Sequence, residues 1–242
     1  YEIYQCDWSS DVCSSDLKSY EEYWSLLEKG GNDLIQEFIS ALTTNMTSFY
    51  RESNHFDFLV KALPELHKKF GGEMRIWCAA ASTGQEPYTL AMTACDALNE
   101  APSMKTRLLA TDIDLQVLKK ASIGTYEERE MQGLPPTQRS KYFEKVKVNG
   151  DEYWRAKDQI HNMIRFAPFN LMVPKYEFQH KFHVIFCRNV LIYFDEETTK
   201  RVIDNLTSCL APGGYLVLGH SESGNVKHSN LKPLSRAVYQ KV

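Results

Sequence analysis

The chain has 242 residues, 43% of them apolar, which is enough to bury one substantial core and at most a small additional module. A formal net charge of −3 and a pI of about 6.2 argue against a partner recognised by overall charge, such as a nucleic acid or an acidic membrane. Its apolar runs are far shorter than the roughly 18 residues of a membrane span, and no signal segment opens it, so we expect a soluble, cytoplasmic protein.

The N-terminal part of the chain is predicted to be helical after an irregular start. Residues 1–17 have neither helical nor strand periodicity, and we interpret them as a segment foreign to the domain, partly artefactual and without function. Helical periodicity begins in YEEYWSLLEK and stops at GGND, whose Asn32 or Asp33 is suited to cap the helix LIQEFISAL. Residues 45–63 are predicted as a further helix that ends near Pro64.

From Met74 onward, short apolar strands alternate with amphipathic helices. The predicted strands are MRIWCAA (74–80), TRLLATDI (106–113), FHVIFCRNVLIYF (182–194) and GYLVLGH (214–220), and the predicted helices are EPYTLAMTACDAL (86–98), LQVLKKAS (115–122) and TTKRVIDNLTSCL (198–210). A turn at residues 212–214 separates the last helix from the last strand. This alternation predicts parallel βαβ units in a doubly wound α/β sheet.

One stretch interrupts the alternation. Residues 122–165 are too long for a simple connection, and they contain two alternating runs, FEKVKV and DEYWRA, on either side of Asn149 and Gly150. An Asn-Gly turn between runs rich in valine and aromatic residues is typical of a β-hairpin. We therefore predict a small antiparallel β insertion rather than a disordered loop.

The cysteines follow no metal-binding or disulfide pattern. There is no CxxC pair and no Cys/His group at metal-ligand spacing, so we expect reduced thiols and no metal site. The six cysteines are Cys6, Cys13, Cys78, Cys95, Cys187 and Cys209.

The loop after the first predicted strand indicates a nucleoside-type cofactor. In an open α/β sheet, ligands bind at the carboxyl ends of the strands, and the small residues of AAASTG (79–84) let a ligand lie against the main chain. Neither phosphate-binding glycine pattern is present, and Glu86 at the helix start favours an ammonium group over a phosphate. Asp112 follows the second strand, where such folds place an acid on a ribose diol. A cofactor that carries a ribose and an ammonium group but no phosphate is expected, and S-adenosylmethionine fits this description.

Six motifs in series resemble the chemotaxis receptor glutamate methyltransferases, the CheR family. They are ALTTNMTSFYRE (41–52), WCAAASTGQEPYTLAM (77–92), ATDIDLQVLKKASIGTY (110–126), FNLM (169–172), FHVIFCRNVLIYFD (182–195) and LAPGGYLVLGHSES (210–223). The resemblance runs in order across residues 18–242 and is therefore specific.

The resemblance implies a reaction and a domain organisation. Its reaction is transfer of the methyl group of S-adenosylmethionine to glutamate side chains in the cytoplasmic domain of a methyl-accepting chemoreceptor, which leaves S-adenosylhomocysteine. Residues 18–64 correspond to a partial N-terminal helical domain and linker, and residues 65–242 to a Rossmann-like catalytic domain in which residues 122–165 form the inserted β-subdomain. We expect a monomer that inserts into no membrane and binds no nucleic acid.

The resemblance also implies a set of site residues. Cofactor contacts carried over by motif are Asn45, Thr47, Arg51, Glu86, Asp112, Asn170, Leu171, Arg188 and Asn189. Arg51, expected on a helix, and Tyr193, expected at a strand end, correspond to the pair nearest the reacting centre. A glutamate nucleophile is already ionised at neutral pH, so no general base is required. Arg51 suits either the substrate carboxylate or the cofactor carboxylate, and both assignments stay open.

Residues 220–222 in GHSES allow two interpretations, acid–base catalysis or hydrogen bonding within the loop, and the second is favoured because no third partner is evident.

Two departures from the family pattern limit the expected partners. The first helices of the family's N-terminal domain have no counterpart, so receptor docking is expected to be weakened. Family members that bind a pentapeptide tether at the receptor C-terminus have extra glycines in a β-subdomain loop, whereas the hairpin here has only Gly150. We therefore expect an enzyme that works without the tether.

Three other functions were weighed against methyl transfer to a receptor. A catalytically silent S-adenosylmethionine-binding signalling module is the main alternative. A nucleic-acid methyltransferase is disfavoured because Arg188–Leu191 stand in place of an [ND]PP[YF] motif, and a nicotinamide oxidoreductase is disfavoured by the missing glycine pattern.

Overall fold

A computed structural model describes residues 31–71, 73–98, 106–226 and 228–242. The predicted irregular segment 1–17 and the predicted helix YEEYWSLLEK lie outside the described residues. The chain divides into two compact units, Tyr1–Leu42 and Thr43–Val242. In the first unit, helix α1 runs from Asn32 to Leu42 and so includes both residues that were predicted to precede it. Within the described ranges no helix is both long and apolar enough to cross a membrane.

The second unit alternates strands and helices as predicted. Its helices are α2 (Asn54–Phe70), α3 (Gln85–Leu98), α4 (Leu115–Ile123), α5 (Pro136–Tyr142), α6 (Asp158–His161) and α7 (Glu196–Cys209). Its strands are β1 (Met74–Cys78), β2 (Thr106–Asp112), β3 (Thr125–Tyr126), β4 (Phe143–Val148), β5 (Asp151–Ala156), β6 (Ile164–Pro168), β7 (Phe182–Cys187), β8 (Leu210–Leu218), β9 (Leu231–Ser235) and β10 (Val238–Lys241). Short 3-10 helices cover Glu128–Met131, Leu191–Tyr193 and Ser223–Asn225.

Seven strands form the main sheet in the order β6-β2-β1-β7-β8-β10-β9. The first five strands pair in parallel, while β10 is antiparallel to both β8 and β9. All six residues of β7 are buried, as expected for a strand covered on both faces. The chain order reverses between β1 and β7, which is where open α/β sheets bind ligands. The predicted doubly wound architecture is confirmed.

Two apolar clusters cover the two faces of this sheet. Alternate residues of β1 point to opposite faces, so Ile76 joins the cluster that contains α2 and α3, while Trp77 joins the cluster that contains α7. The four described cysteines are free and buried, which agrees with the expectation of reduced thiols for Cys78, Cys95, Cys187 and Cys209; Cys6 and Cys13 lie outside the described ranges.

The predicted β insertion is present and has one more strand than expected. Strands β4 and β5 pair from Phe143 opposite Ala156 to Val148 opposite Asp151. Asn149 and Gly150 both have positive φ, 51° and 96°, as a type I′ turn requires. The two-residue strand β3 adds to β5 and completes a three-stranded antiparallel sheet, which we call the small sheet. Neither β3 nor β6 was predicted, because β3 has only two residues and β6 begins within residues 122–165, which were predicted as the insertion.

The prediction of a helix over residues 45–63 is wrong at both ends. Residues 43–53 are not helical, because Tyr50 and Glu52 adopt left-handed backbone conformations, with φ of 53° and 55°. Helix α2 then continues past Pro64, which lies inside it. Buried leucines on both sides of the proline pack into the core, and this packing stabilises the helix despite the lost hydrogen bond.

Two predicted strand boundaries also need correction. The strand predicted over residues 182–194 ends at Cys187, because Asn189 has a φ of 56° and leaves the extended conformation. Strand β8 already begins at Leu210, so residues 212–214 form an irregular part of the strand, not a turn before it.

Candidate active site

The non-helical segment 43–53 lies across loops at the carboxyl ends of the parallel strands. At one end, Thr43 Oγ1 and Asn45 Nδ2 donate hydrogen bonds to Asp114 Oδ2, at 3.0 Å and 3.2 Å. The carbonyl oxygen of Asn45 accepts a bond of 3.4 Å from Ser82 Oγ in the loop after β1. The first part of the segment therefore rests on the loops after β1 and β2.

The other end of the segment is attached to the loop after β7. Arg188 Nη2 donates to the carbonyl oxygen of Arg51 at 2.7 Å, and Asn189 Nδ2 donates to Glu52 Oε1 at 3.3 Å. The backbone N–H of His220, after β8, donates to Glu52 Oε2 at 3.1 Å. Motifs that are far apart in the sequence are thus brought together over the point where the strand order reverses.

Glu86, in the first turn of α3, is buried and already paired with a cation of the protein. Arg188 Nη1 donates to its Oε2 at 2.7 Å, and the thiol of Cys78 donates to its Oε1 at 3.3 Å. Burial raises the pKa of the Glu86 carboxyl, against the opposing effect of the Arg188 charge. A carboxylate has about four acceptor positions, so these two bonds leave acceptor capacity for an ammonium group.

Arg188 is the central cation of the site. Its side chain is 1% exposed and contacts Glu86, the backbone of Arg51 and, at 3.2 Å, the carboxylate of Glu52. The resemblance assigned Arg188 to cofactor binding, whereas in the structure its guanidinium is directed at the protein's own carboxylates. Any contribution to cofactor binding therefore passes through the positions of Glu86 and Arg51.

Asp112 ends β2 and faces the loop after β1. Its Oδ2 accepts the backbone N–H of Ser82 at 2.8 Å, and its Oδ1 accepts the backbone N–H of Asp114 at 3.1 Å. Burial raises the pKa of the Asp112 carboxyl, partly offset by these backbone donors.

The small residues of loop 79–84 have two different roles. Ala79, Ala81 and Gly84 are buried, and a Cβ added at Gly84 would lie 2.6 Å from the hydroxyl of Tyr126, so packing requires a glycine there. The remaining residues of the loop, at positions 80, 82 and 83, are partly exposed. Only this second group fits the expectation of main chain left open for a ligand.

Asn170 and Leu171 follow β6 and lie beside the end of β2. The backbone N–H of Phe169 donates to the carbonyl of Asp112 at 2.9 Å. Asn170 is exposed, and its Oδ1 accepts the N–H of Met172 at 2.8 Å, while Leu171 is 6% exposed.

The remaining residues predicted for the site lie in turns. Thr47 is half-buried within segment 43–53. Arg51 is in a turn rather than on a helix, and its Nη1 donates to the carbonyl of Met46 at 2.9 Å. Tyr193 is in a 3-10 helix rather than at a strand end and is 59% exposed. Arg51 and Tyr193 thus occupy short, irregular segments that could not be located from periodicity.

Glu222 is an important site residue that the motif analysis did not select. Its carboxylate accepts the backbone N–H groups of Asn189 at 2.9 Å, of Val190 and Leu191 at 2.8 Å each, and of Gly219 at 2.6 Å. The side chain therefore fixes the loop that leads to Tyr193. Of the two interpretations of GHSES, hydrogen bonding within the loop is confirmed for Glu222.

Glu52 is the second site residue that was not selected. Burial alone would raise the pKa of its carboxyl, but the Arg188 charge and the donors from Asn189, Arg188 and His220 together hold the pKa below its ordinary value. The only sequence signal for Glu52 is its position next to Arg51.

Comparison of the amino-acid sequence with known proteins shows the family to which the chain is similar. The family model described as CheR methyltransferase, SAM binding domain, matches residues 45–239. A chemotaxis protein methyltransferase of Escherichia coli is 40% identical over 211 residues, which cover 87% of this chain and 72% of the relative. The proteins of the same name from Borreliella burgdorferi and Salmonella typhimurium are each 40% identical, over 234 residues (93% of this chain, 81% of the relative) and 208 residues (86% and 70%).

Proposed function

The chain belongs to the CheR methyltransferase family, whose domain binds S-adenosylmethionine, and from this membership we propose that it methylates glutamate side chains of chemoreceptor cytoplasmic domains in chemotaxis. The products are glutamyl γ-methyl esters and S-adenosylhomocysteine. The observation that carries the proposal is segment 43–53, whose backbone and side chains bond to the loops after β1, β2 and β7 at the carboxyl ends of the parallel strands.

The residues around the cleft fit a cationic nucleoside that has no phosphates. Buried Glu86 and half-buried Asp112 lie near the ends of β1 and β2, and carboxylates repel phosphate while they attract an ammonium group or accept from a ribose diol. We assign Asp112 to the ribose and Glu86 to the amino group of the cofactor. The other proposed cofactor contacts are Asn45, Thr47, Arg51, Asn170, Leu171 and Asn189, whereas Arg188 acts through the positions of Glu86 and Arg51.

The chemistry asks the protein chiefly for positioning. When bound, the cofactor supplies an electrophilic methyl group on a sulfonium. A receptor glutamate, with an ordinary pKa of about 4.3, arrives ionised, so the site needs no base to take a proton. Attack of the carboxylate on that methyl group would form a C–O bond and break the C–S bond, so the opposite charges of the two reactants would be neutralised together. Alignment of the two reactants can supply roughly 7–11 kcal/mol of the barrier reduction.

We assign different tasks to Arg51 and Tyr193. The guanidinium of Arg51 can form paired hydrogen bonds to a carboxylate, either that of the cofactor or that of the substrate. Tyr193 is exposed at the end of the loop that Glu222 fixes, so its hydroxyl is free to meet an incoming receptor helix and orient the nucleophile.

Tyr193→Phe tests the assignment of Tyr193. We expect turnover to fall about 10- to 100-fold while S-adenosylhomocysteine affinity stays within about twofold, because only a contact to the nucleophile is lost. The readouts are methyl transfer and calorimetric titration with S-adenosylhomocysteine. Tyr153→Phe, on the small sheet, is the matched control and is expected to leave both unchanged. Loss of S-adenosylhomocysteine affinity in Tyr193→Phe would instead make Tyr193 a cofactor-binding residue.

The proposed function is tested by transfer of labelled methyl groups to receptor-enriched membranes. We expect base-labile label on the receptor, because carboxyl methyl esters hydrolyse readily in base. A protein that binds S-adenosylhomocysteine but transfers no label would be the silent signalling module. Base-stable label would indicate a nitrogen or sulfur acceptor and would contradict the proposal.

We further propose that the enzyme acts without a receptor pentapeptide tether. The small-sheet hairpin is a tight two-residue turn, Asn149-Gly150, with β4 and β5 fully paired up to it. A fluorescence titration with a receptor C-terminal pentapeptide should show no saturable binding. Micromolar affinity would overturn this part of the proposal.

A further inference from the structure

Three side chains outside the assigned cofactor contacts converge on one point beside the cleft. His55 Nδ1 lies 3.6 Å from Glu52 Oε2, and His220 Nε2 lies 3.8 Å from the same oxygen. One ligand atom from each residue can be chosen so that all three lie within 4.8 Å of one another. The two imidazole rings meet edge to face, with centroids 4.8 Å apart.

The nitrogens of this group are buried without hydrogen-bond partners. His55 is fully buried, and within the described residues neither its Nδ1 nor the buried Nε2 of His220 has a hydrogen-bond partner. Buried polar atoms are nearly always satisfied, and an exception calls for an ion or a water molecule. Both nitrogens face the same carboxylate oxygen, an arrangement that suits a cation bound by all three side chains.

Arg188 is a cation that already contacts the proposed ligand oxygen, because its Nη2 lies 3.2 Å from Glu52 Oε2, so a bound metal ion would share the charge of Glu52 with it. The carboxylates of Glu52 and Glu86 are opposed by the single guanidinium of Arg188, which contacts both. Two histidines and a carboxylate are a donor set for zinc-like ions.

We propose that Glu52, His55 and His220 form a binding site for a divalent transition-metal cation, with Zn²⁺ as the best match. Ligand atoms on a tetrahedral zinc ion lie about 3.4 Å apart, given metal–ligand distances near 2.1 Å. The observed separations of 3.6 Å and 3.8 Å from Glu52 Oε2 need only small side-chain shifts to reach that geometry. A fourth position is left for water.

The contacts around the ligands hold them in place. Glu52 receives hydrogen bonds from Asn189 Nδ2 at 3.3 Å and from the His220 backbone N–H at 3.1 Å, so its carboxylate is oriented before a cation arrives. Arg188, at 3.2 Å from Glu52 Oε2, has Glu86 as a second partner and can keep that pair when Glu52 turns toward a metal ion.

The test uses metal ions alone and does not depend on methyl transfer. Chelator-treated protein is titrated with Zn²⁺ by calorimetry and with Co²⁺ by visible absorption, whose bands strengthen in four-coordinate sites. The wild type should bind one equivalent with micromolar or tighter affinity. His220→Gln should bind that equivalent at least 10-fold more weakly and lose the four-coordinate Co²⁺ spectrum.

Two further variants keep the result interpretable. Glu52→Gln retains the size of the side chain and removes the anionic ligand, so it should lower the affinity for the metal ion as His220→Gln does. His228→Gln is the matched control, because His228 also faces a carboxylate, that of Asp204 on α7 at 3.3 Å, and is not a member of the group of proposed ligands. It should bind like the wild type.

The cysteines are unchanged in all variants, so metal bound by thiols cannot produce a difference between them. Circular dichroism identifies which variants are folded. Equal stoichiometry and equal Co²⁺ spectra in the wild type and in either folded variant, His220→Gln or Glu52→Gln, would overturn the proposal. Absence of metal binding by the wild type would overturn it as well.

Discussion

The two sheets of this protein use similar charged residues in opposite surroundings. At the carboxyl end of β7 in the main sheet, Arg188 is 1% exposed and bridges two carboxylates. On the small sheet, Arg155 pairs with Glu144 at 2.7 Å, yet the two side chains are 55% and 47% exposed. Water screens the second pair and leaves the first almost unscreened, so equally short contacts contribute very different energies.

The difference in burial separates two kinds of charged residue: buried ones that position loops of the site, and exposed ones that face the surroundings of the protein. The hydrogen bonds of Arg188 and Glu222 hold the loops after β7 and β8 on which the proposed site is built. The small sheet has charged side chains turned outward, and its fold rests on backbone pairing and on aromatic residues such as Phe143 and Tyr126 that pack against the main core. Substitutions of charged residues should therefore be costly in the first region and tolerated in the second.

The largest effect is expected for Arg188→Met. The substitution leaves the carboxylates of Glu86 and Glu52 without their cation in a buried site, which costs roughly 3–5 kcal/mol of unfolding free energy. Urea denaturation, monitored by tryptophan fluorescence, measures the unfolding free energy. A loss below about 1 kcal/mol would show that the two carboxylates are solvated or protonated without Arg188, and the contrast between the sheets would fail.

The next effect concerns ligand affinity. Asp112→Ala should weaken the binding of S-adenosylhomocysteine by roughly 1.5–3 kcal/mol, because hydrogen bonds from the ribose to a charged acceptor are lost. Calorimetric titration measures the affinity. Asp151→Ala, an exposed carboxylate on the small sheet, is the control and should bind like the wild type. Unchanged affinity in Asp112→Ala would remove Asp112 from the cofactor site.

The fold was largely predictable because it depends on periodic burial. The apolar runs that became β1, β2 and β7 and the Asn149-Gly150 turn each have a local signal that the structure confirms. Helix α2 shows the limit of such signals: left-handed Tyr50 and Glu52 delay its start, and core packing extends it beyond Pro64. Both effects come from tertiary contacts.

The site was less predictable, since it depends on pairs that are distant in sequence. Motif resemblance selected Glu86 and Arg188 separately, but no periodicity indicates that they form a buried ion pair. Glu222 satisfies four backbone donors, and a carboxylate in a serine-rich loop has no local feature that reveals this. The proximity of Glu52, His55 and His220 also exists only in the folded chain.

A moderate effect is expected for Glu222→Gln. The amide oxygen keeps part of the acceptor capacity but loses the charge, so we expect a loss of about 1–2 kcal/mol in unfolding free energy and slower methyl transfer. Glu127→Gln is the matched control, because Glu127 accepts a backbone N–H as the cap of the short helix Glu128–Met131 in the insertion, with a side chain that is 45% exposed. Should Glu127→Gln cost as much as Glu222→Gln, the number of backbone N–H groups that a carboxylate accepts would not be the deciding factor.

The smallest effect is expected for Arg155→Met on the small sheet. The pair with Glu144 is half-exposed, and the attraction is offset by solvent screening and by the entropy lost in ordering two long side chains. We expect less than about 1 kcal/mol of lost unfolding free energy, decreasing further in high salt because the Debye length shortens. The measurement is the same urea denaturation used for Arg188→Met, at low and high salt. A salt-independent loss above about 2 kcal/mol would mean that the small sheet depends on a desolvated ion pair, and exposure would then not distinguish the two regions.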